Sequence, residues 1–252
     1  MSPWLASYLE RTRNPWACVV FVVPLLIAYE VGLRSLNANP DELRTGADAQ
    51  LQRFFYAAGV EGGWVQPAVV AFGLFAWGWL ADRRPWEDPL GTWSGMVLES
   101  VLFAGVLFGV VQASFPALAH SGGVVQNVLG NYLEISPGNS PETTWAMILR
   151  FVGAGIYEET IFRLIGFSLL RLLFLIGDLR PRRATILAAG VSAVLFAAAH
   201  HMGGGSEHIN ATVFLYRMLA GLYFTAVFQT RGFGIAVGAH AGYDVLVGLI
   251  LR

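Results

Sequence analysis

Eleven ionisable side chains lie inside stretches that are otherwise apolar: Glu30 and Glu99, then Arg150, Glu158, Glu159, Arg163, His200, His201, Arg217, His240 and Asp244. A charge at membrane depth costs about 3 kcal/mol or more, so those that persist there face a bundle interior or a wet cavity. In the run Tyr157, Glu158, Glu159, Thr160, Ile161, Phe162, Arg163 two adjacent carboxylates share one apolar segment with a guanidinium. Glu159 and Arg163 are four apart on a helix and share a face, which allows an ion pair. Glu158 points about 100° away and is left as a carboxylate available for general-base activation of water. A bland reading, in which all three only tie helices together, needs a second glutamate where one would do. His200 follows Phe196, Ala197, Ala198 and Ala199, and the three alanines permit close helix approach. Alone, such a histidine is more often a hydrogen-bonded interior residue than a ligand. His240 and Asp244 form another i, i+4 pair, presenting imidazole and carboxylate together, where the bland reading is a stabilising hydrogen bond. Taken together, Glu158, Glu159, Arg163, His200, His240 and Asp244 make a candidate catalytic cluster.

The elements that must carry these residues are membrane spans. The chain has 252 residues, 55% hydrophobic and 13% charged, too apolar for an average soluble domain. Its formal net charge of -1 supplies no basic surface, which sets nucleic acid aside as a partner. All the positive charge is arginine, a weak sign of a GC-rich bacterial genome. Stretches of about 20 apolar residues fall near 16–33, 63–81, 95–119, 145–177, 185–203, 211–229 and 233–251. The expected fold is therefore all-α, a polytopic transmembrane helix bundle of seven or eight spanning segments. The count depends on the long fourth segment, which Gly153, Gly155 and Gly166 would tilt or break. The polar stretch 35–62 is expected to hold a short amphipathic helix near 49–57 without a catalytic role, and the arginine-free stretch 120–144 an external loop. Trp64, Trp77 and Trp79 fit interfacial belts.

Arginines gather at Arg11 and Arg13, Arg83 and Arg84, Arg180, Arg182 and Arg183, and Arg231. The positive-inside rule makes those ends cytoplasmic, with the amino terminus inside. Arg34, Arg44 and Arg53 dissent. The first span reads as uncleaved, and the lone Cys18 as a buried small hydrophobe. The expected organisation is a set of amino-terminal helices over 1–140 and a catalytic core over 141–252, in an integral membrane protein of a bacterial inner membrane.

The run from Glu158 to Arg163 (EETIFR), that from Phe196 to His200 (FAAAH) and that from His240 to Asp244 (HAGYD) resemble, in order and spacing, the EExxxR, FxxxH and HxxxN/D signatures of the CPBP (CAAX protease and bacteriocin-processing) intramembrane proteases. That family includes the CAAX prenyl endopeptidases. The resemblance covers about 145–251. It implies an endopeptidase acting on a membrane-associated, C-terminal or prenyl-like substrate, with membrane lipid and a membrane-anchored protein or peptide as partners. It further implies that Glu158 activates water, that His200 orients or deprotonates it, and that His240 and Asp244 stabilise the oxyanion or position the scissile carbonyl. Glu159 and Arg163 would hold the geometry. Asp244 departs from the asparagine of the prenyl-processing members, and an ionised aspartate cannot donate to an oxyanion.

Glu158, His200, His240 and Asp244 also form a nitrogen and oxygen donor set suited to zinc or another divalent metal with a water. No HExxH helix is present, and a metal-free glutamate mechanism accounts for the same residues. Rival functions are a proteolytically silent membrane scaffold, a bacteriocin immunity protein, and a proton-coupled transporter relaying through Glu99, Glu158 and His240. The absence of a visible inverted repeat speaks against the last.

Overall fold

A computed structural model describes residues 3–36, 44, 46–81, 88–114, 143–201 and 211–250. In chain order the helices are α1 (Pro3–Arg11), α2 (Pro15–Ser35), α3 (Gly46–Ala57), α4 (Val65–Ala81), α5 (Pro89–Ser114), α6 (Thr144–Glu158), a π-helix (Glu159–Phe167), α7 (Ser168–Ile176), α8 (Pro181–Ala199), α9 (Ala211–Arg231) and α10 (Phe233–Ile250). Their starts follow local chemistry. Asn14 accepts from the Trp16 amide at 2.8 Å ahead of Pro15, and Thr143 accepts from the Ala146 amide at 3.2 Å, so side chains satisfy amides that have no partner within the helix.

Helices α2, α5, α8, α9 and α10 are long and apolar enough to cross a membrane, and α4 is a shorter apolar helix. The protein is a polytopic helical membrane protein. Leu80, Leu90 and Phe72 are 78%, 83% and 75% exposed, a surface suited to acyl chains and poorly suited to water. Trp64 and Trp79 are exposed too, whereas Trp77 packs edge-on against Phe233, ring centroids 5.9 Å apart. It is partly buried against the core.

The long fourth apolar segment is neither broken nor a plain helix. Helix α6, the π-helix and α7 run into one another without a break in helical backbone. The wider winding of the centre shifts carbonyls out of α-helical register, and hydroxyls meet carbonyls along the rod, that of Arg163 accepting from Ser168 at 3.4 Å. Thr160 donates to the Ile156 carbonyl at 2.6 Å, and Ser192 of α8 donates to the Phe162 carbonyl at 2.8 Å. Helix α10 is the axis of the bundle, buried along most of its length and packed by α2, α5, α6 and α9. In its first half Phe233, Ile235 and Val237 meet Phe21, Val22 and Met96, and further along Ala239, Tyr243 and Val247 meet Ala104, Leu107 and Phe224.

Helix α3 starts at Gly46, slightly ahead of the expected 49–57, and is fixed by a buried network. Arg44 donates to both Glu30 oxygens, at 3.0 and 2.7 Å, and to both Asp48 oxygens, each at 2.9 Å. Arg34 reaches Glu30 at 2.5 Å, Tyr157 donates to Glu30 at 2.9 Å, and Tyr29 and Gln66 donate to Asp48. Burial disfavours the Arg44 cation, but the two carboxylates outweigh it and hold the guanidinium above its usual range. Arg34 and Arg44, which break the charge asymmetry of the sequence, are thus ion-pair partners. Arg83, Arg84, residues 120–142 of the loop expected over 120–144, Glu207 and His208 lie outside the described residues, while Thr144 begins α6.

Candidate active site

Glu158 is the last residue of α6 and Glu159 the first of the π-helix, so the two carboxylates stand where the winding changes. π-Helical turns occur often at functional sites. One turn before them Gly155 lets α6 close on α10. A Cβ at that position would lie 2.9 Å from the Val237 carbonyl and from the Ala241 amide, so only a residue without a side chain permits the approach. The closeness brings Glu159 Oε1 to 2.7 Å from His240 Nδ1. Arg163 Nη1 sits 3.0 Å from the same oxygen, and its Nη2 donates to the Gly221 carbonyl at 3.2 Å. The guanidinium lies 4.3 Å from the centroid of Phe196, and Phe224 stacks on His240 with centroids 4.5 Å apart. Arg163, Glu159 and His240 therefore form a fixed chain of contacts.

The hydrogen bonds define which ring nitrogens are free. His200 Nδ1 is 2.8 Å from the Phe196 carbonyl; a carbonyl only accepts, so Nδ1 carries the proton and a neutral ring leaves Nε2 as an acceptor. His240 Nδ1 faces the Glu159 carboxylate in the same way. Both Nε2 atoms lie 3.8 Å from one atom, Glu158 Oε2, and Asp244 Oδ2 is 3.5 Å from His240 Nε2. Separations of 3.8 Å exceed a direct hydrogen bond and suit groups that share a water. Beside them is a cavity of about 40 Å³ lined by Phe196, His200, Tyr216, Arg217, Phe224, His240, Tyr243 and Asp244, large enough to hold water. Asp244 Oδ2 is buried and has no hydrogen-bond partner among the described residues.

The structure thus brings Glu158, Glu159, Arg163, His200, His240 and Asp244 into one cluster. Arg217 lines the cavity. Tyr216 and Tyr243 are hydrogen-bonded to each other on its wall and were not singled out by sequence. Tyr243 lies within the HAGYD run, which was the available signal. His201 stacks on Phe214. Glu99 pairs with Arg231 at 2.8 and 2.9 Å, so it braces α5 against α9.

A divalent metal held by Glu158, His200, His240 and Asp244 would use suitable donors, two imidazoles and two carboxylates. Their placement does not fit one: among the described residues no three of His, Cys, Asp and Glu are disposed to hold an ion together.

A helical membrane bundle with buried carboxylates and imidazoles around a small cavity has the parts of a water-activating hydrolase. Residues 140–246 match the family model described as type II CAAX prenyl endopeptidase Rce1-like, and over that stretch the chain carries a domain of this peptidase family. No curated protein and no solved structure matches the chain.

Proposed function

We propose that the protein is an intramembrane endopeptidase that hydrolyses a peptide bond of a membrane-associated substrate, with water activated by Glu158. The observation that carries this reading is the meeting of two imidazole Nε2 atoms, each 3.8 Å from Glu158 Oε2, beside the cavity. Water held between these groups donates one proton to Glu158 while His200 Nε2 accepts from it and sets its orientation. Its oxygen attacks the carbonyl carbon of the scissile bond. As an imidazolium, His240 has an Nε2–H to offer the resulting oxyanion, and Arg217 adds positive charge on the same cavity wall. Glu158 then passes its proton to the departing amide nitrogen as the carbon–nitrogen bond breaks, and the carboxylate is restored. Glu159 and Arg163 hold His240 in place, and Asp244 positions the ring from its other side.

The same reading takes α2, α4, α5, the continuous rod from α6 to α7, α8, α9 and α10 as seven spans, with the amino terminus cytoplasmic and the catalytic core over 141–252. A bacterial inner membrane is the proposed location. The test is cleavage of a panel of lipid-anchored C-terminal peptides by purified protein, wild type against Glu158→Ala. Cleavage that survives the substitution sinks the assignment.

A further inference from the structure

The stretch that precedes the matched domain reaches the site at Gly46. Gly46, the first residue of α3, has φ +58°, a left-handed conformation that side chains rarely adopt, and a Cβ built there would lie 2.8 Å from Glu158 Oε1. Real Cβ atoms do not come that close to another heavy atom, so either the carboxylate or α3 would have to move. The other carboxylate oxygen, Oε2, is the one that faces both imidazoles. The Glu158 carboxylate is therefore confined between the bare backbone of Gly46 on one side and His200 and His240 on the other.

Helix α3 is held firmly enough for this contact to matter. Two residues before Gly46, Arg44 is bound to Glu30 of α2, and two residues after it Asp48 is bound to Arg44 and receives hydrogen bonds from Tyr29 and Gln66. One turn on, Gln50 donates to the carbonyl of Ala199, the neighbour of His200, at 3.4 Å. The first turns of α3 thus run from Glu158 to the end of α8.

We propose that Gly46 is a positioning residue for catalysis, fixing the Glu158 carboxylate so that Oε2 stays aimed at the two imidazoles. The inference rests on Glu158 being the base. It means that the peptidase site is completed by a glycine outside the stretch 140–246.

The test uses Gly46→Asn, because asparagine tolerates left-handed backbone better than other side chains yet still brings a Cβ to Glu158. Its control is Gly59→Ala near the other end of α3, where φ is +75° but no atom lies within 4 Å of the added Cβ. With the full-length protein and a lipid-anchored C-terminal peptide that the wild type cleaves, Gly46→Asn is expected to lower kcat roughly 10- to 100-fold with KM little changed, the scale of a misplaced catalytic group. Gly59→Ala keeps kcat within about twofold, since the strain of a left-handed site alone affects stability and not the reaction. A thermal-unfolding cycle reads the contact without substrate: the loss of Tm caused by Gly46→Asn shrinks in a Glu158→Ala background, whereas that of Gly59→Ala is the same in both. Equal kcat for Gly46→Asn and Gly59→Ala, or additive Tm losses, overturns the inference. If Glu158→Gln is inactive and Gly46→Asn fully active, only the inference falls; an active Glu158→Gln overturns both it and the assignment of Glu158 as the base.

Discussion

Two clusters of buried charge sit in this bundle, and they are built differently. Around Arg44, two acids (Glu30 and Asp48) meet two arginines (Arg34 and Arg44), and tyrosine and glutamine donors take up further carboxylate lone pairs. The charges balance and all four carboxylate oxygens are bonded. Around Glu158, three acids (Glu158, Glu159 and Asp244) share Arg163 and the Arg217 of the cavity wall. There both imidazoles turn an Nε2 toward Glu158 across 3.8 Å and not into a direct bond. Buried polar groups are normally satisfied because each unpaired one costs about 1–3 kcal/mol. A cluster that closes on itself is a fastening. One that leaves acceptors facing a cavity has somewhere to put a water and a substrate.

That contrast predicts where substitutions act. Glu158→Gln keeps the shape of the side chain and removes the base, and is expected to lower kcat by about 10²–10⁴-fold, the range of general-base catalysis, with the unfolding transition unmoved. Cleavage of lipid-anchored peptides alongside thermal unfolding in detergent checks both halves. Arg44→Met does the reverse. It leaves Glu30 and Asp48 buried without their shared cation, which costs about 3–5 kcal/mol of stability and shows as a large fall in Tm and in folded yield. If instead Arg44→Met folds as the wild type does, the network is not a fastening and the comparison fails. Gly155→Ala is intermediate. Its methyl pushes α6 from α10 at a cost of about 1–3 kcal/mol, and because the same contact aligns Glu159 with His240, turnover should fall by more than stability alone explains. Measuring kcat at a temperature well below Tm separates the two.

Much of this was legible in the sequence, for a physical reason. Charged residues are so costly among Leu, Ile and Phe that their positions in the second half stand out, and the i, i+4 spacing of Glu159 with Arg163 and of His240 with Asp244 fixes shared faces before any fold is known. The apolar lengths likewise anticipated α2, α4, α5, α8, α9 and α10. What was not legible depended on three-dimensional approach. Nothing in the local sequence says that Arg44 reaches back to Glu30, or that Gly46 stands against Glu158, since glycine in a polar stretch between helices reads as a turn residue. The π-helix was hidden as well: Glu159–Phe167 has ordinary helical composition, and the hydroxyl that meets the Phe162 carbonyl comes from Ser192 on another helix. A stretch read as having no catalytic role is the one that holds Gly46.

The smallest expected effect concerns the residue that departs from the prenyl-processing signature. Asp244 Oδ2 is buried, 3.5 Å from His240 Nε2, with no hydrogen-bond partner among the described residues. If its work is to position the ring and whatever binds beside it, an asparagine of the same shape does that work, and its amide can also donate to an oxyanion. Asp244→Asn is therefore expected to lower kcat by less than about tenfold, which is under about 1.4 kcal/mol of barrier, while Asp244→Leu, which keeps the branched shape and removes every polar atom, costs much more. The decisive comparison is with Glu158→Gln in the same peptide assay. A loss from Asp244→Asn as deep as that from Glu158→Gln would give Asp244 a share of the proton transfer or of a bound cation. Those two separate on treatment with a chelator: unchanged cleavage leaves the proton, and cleavage lost and then restored by zinc would mean that the four side chains rearrange around a metal and that the mechanism given above is wrong.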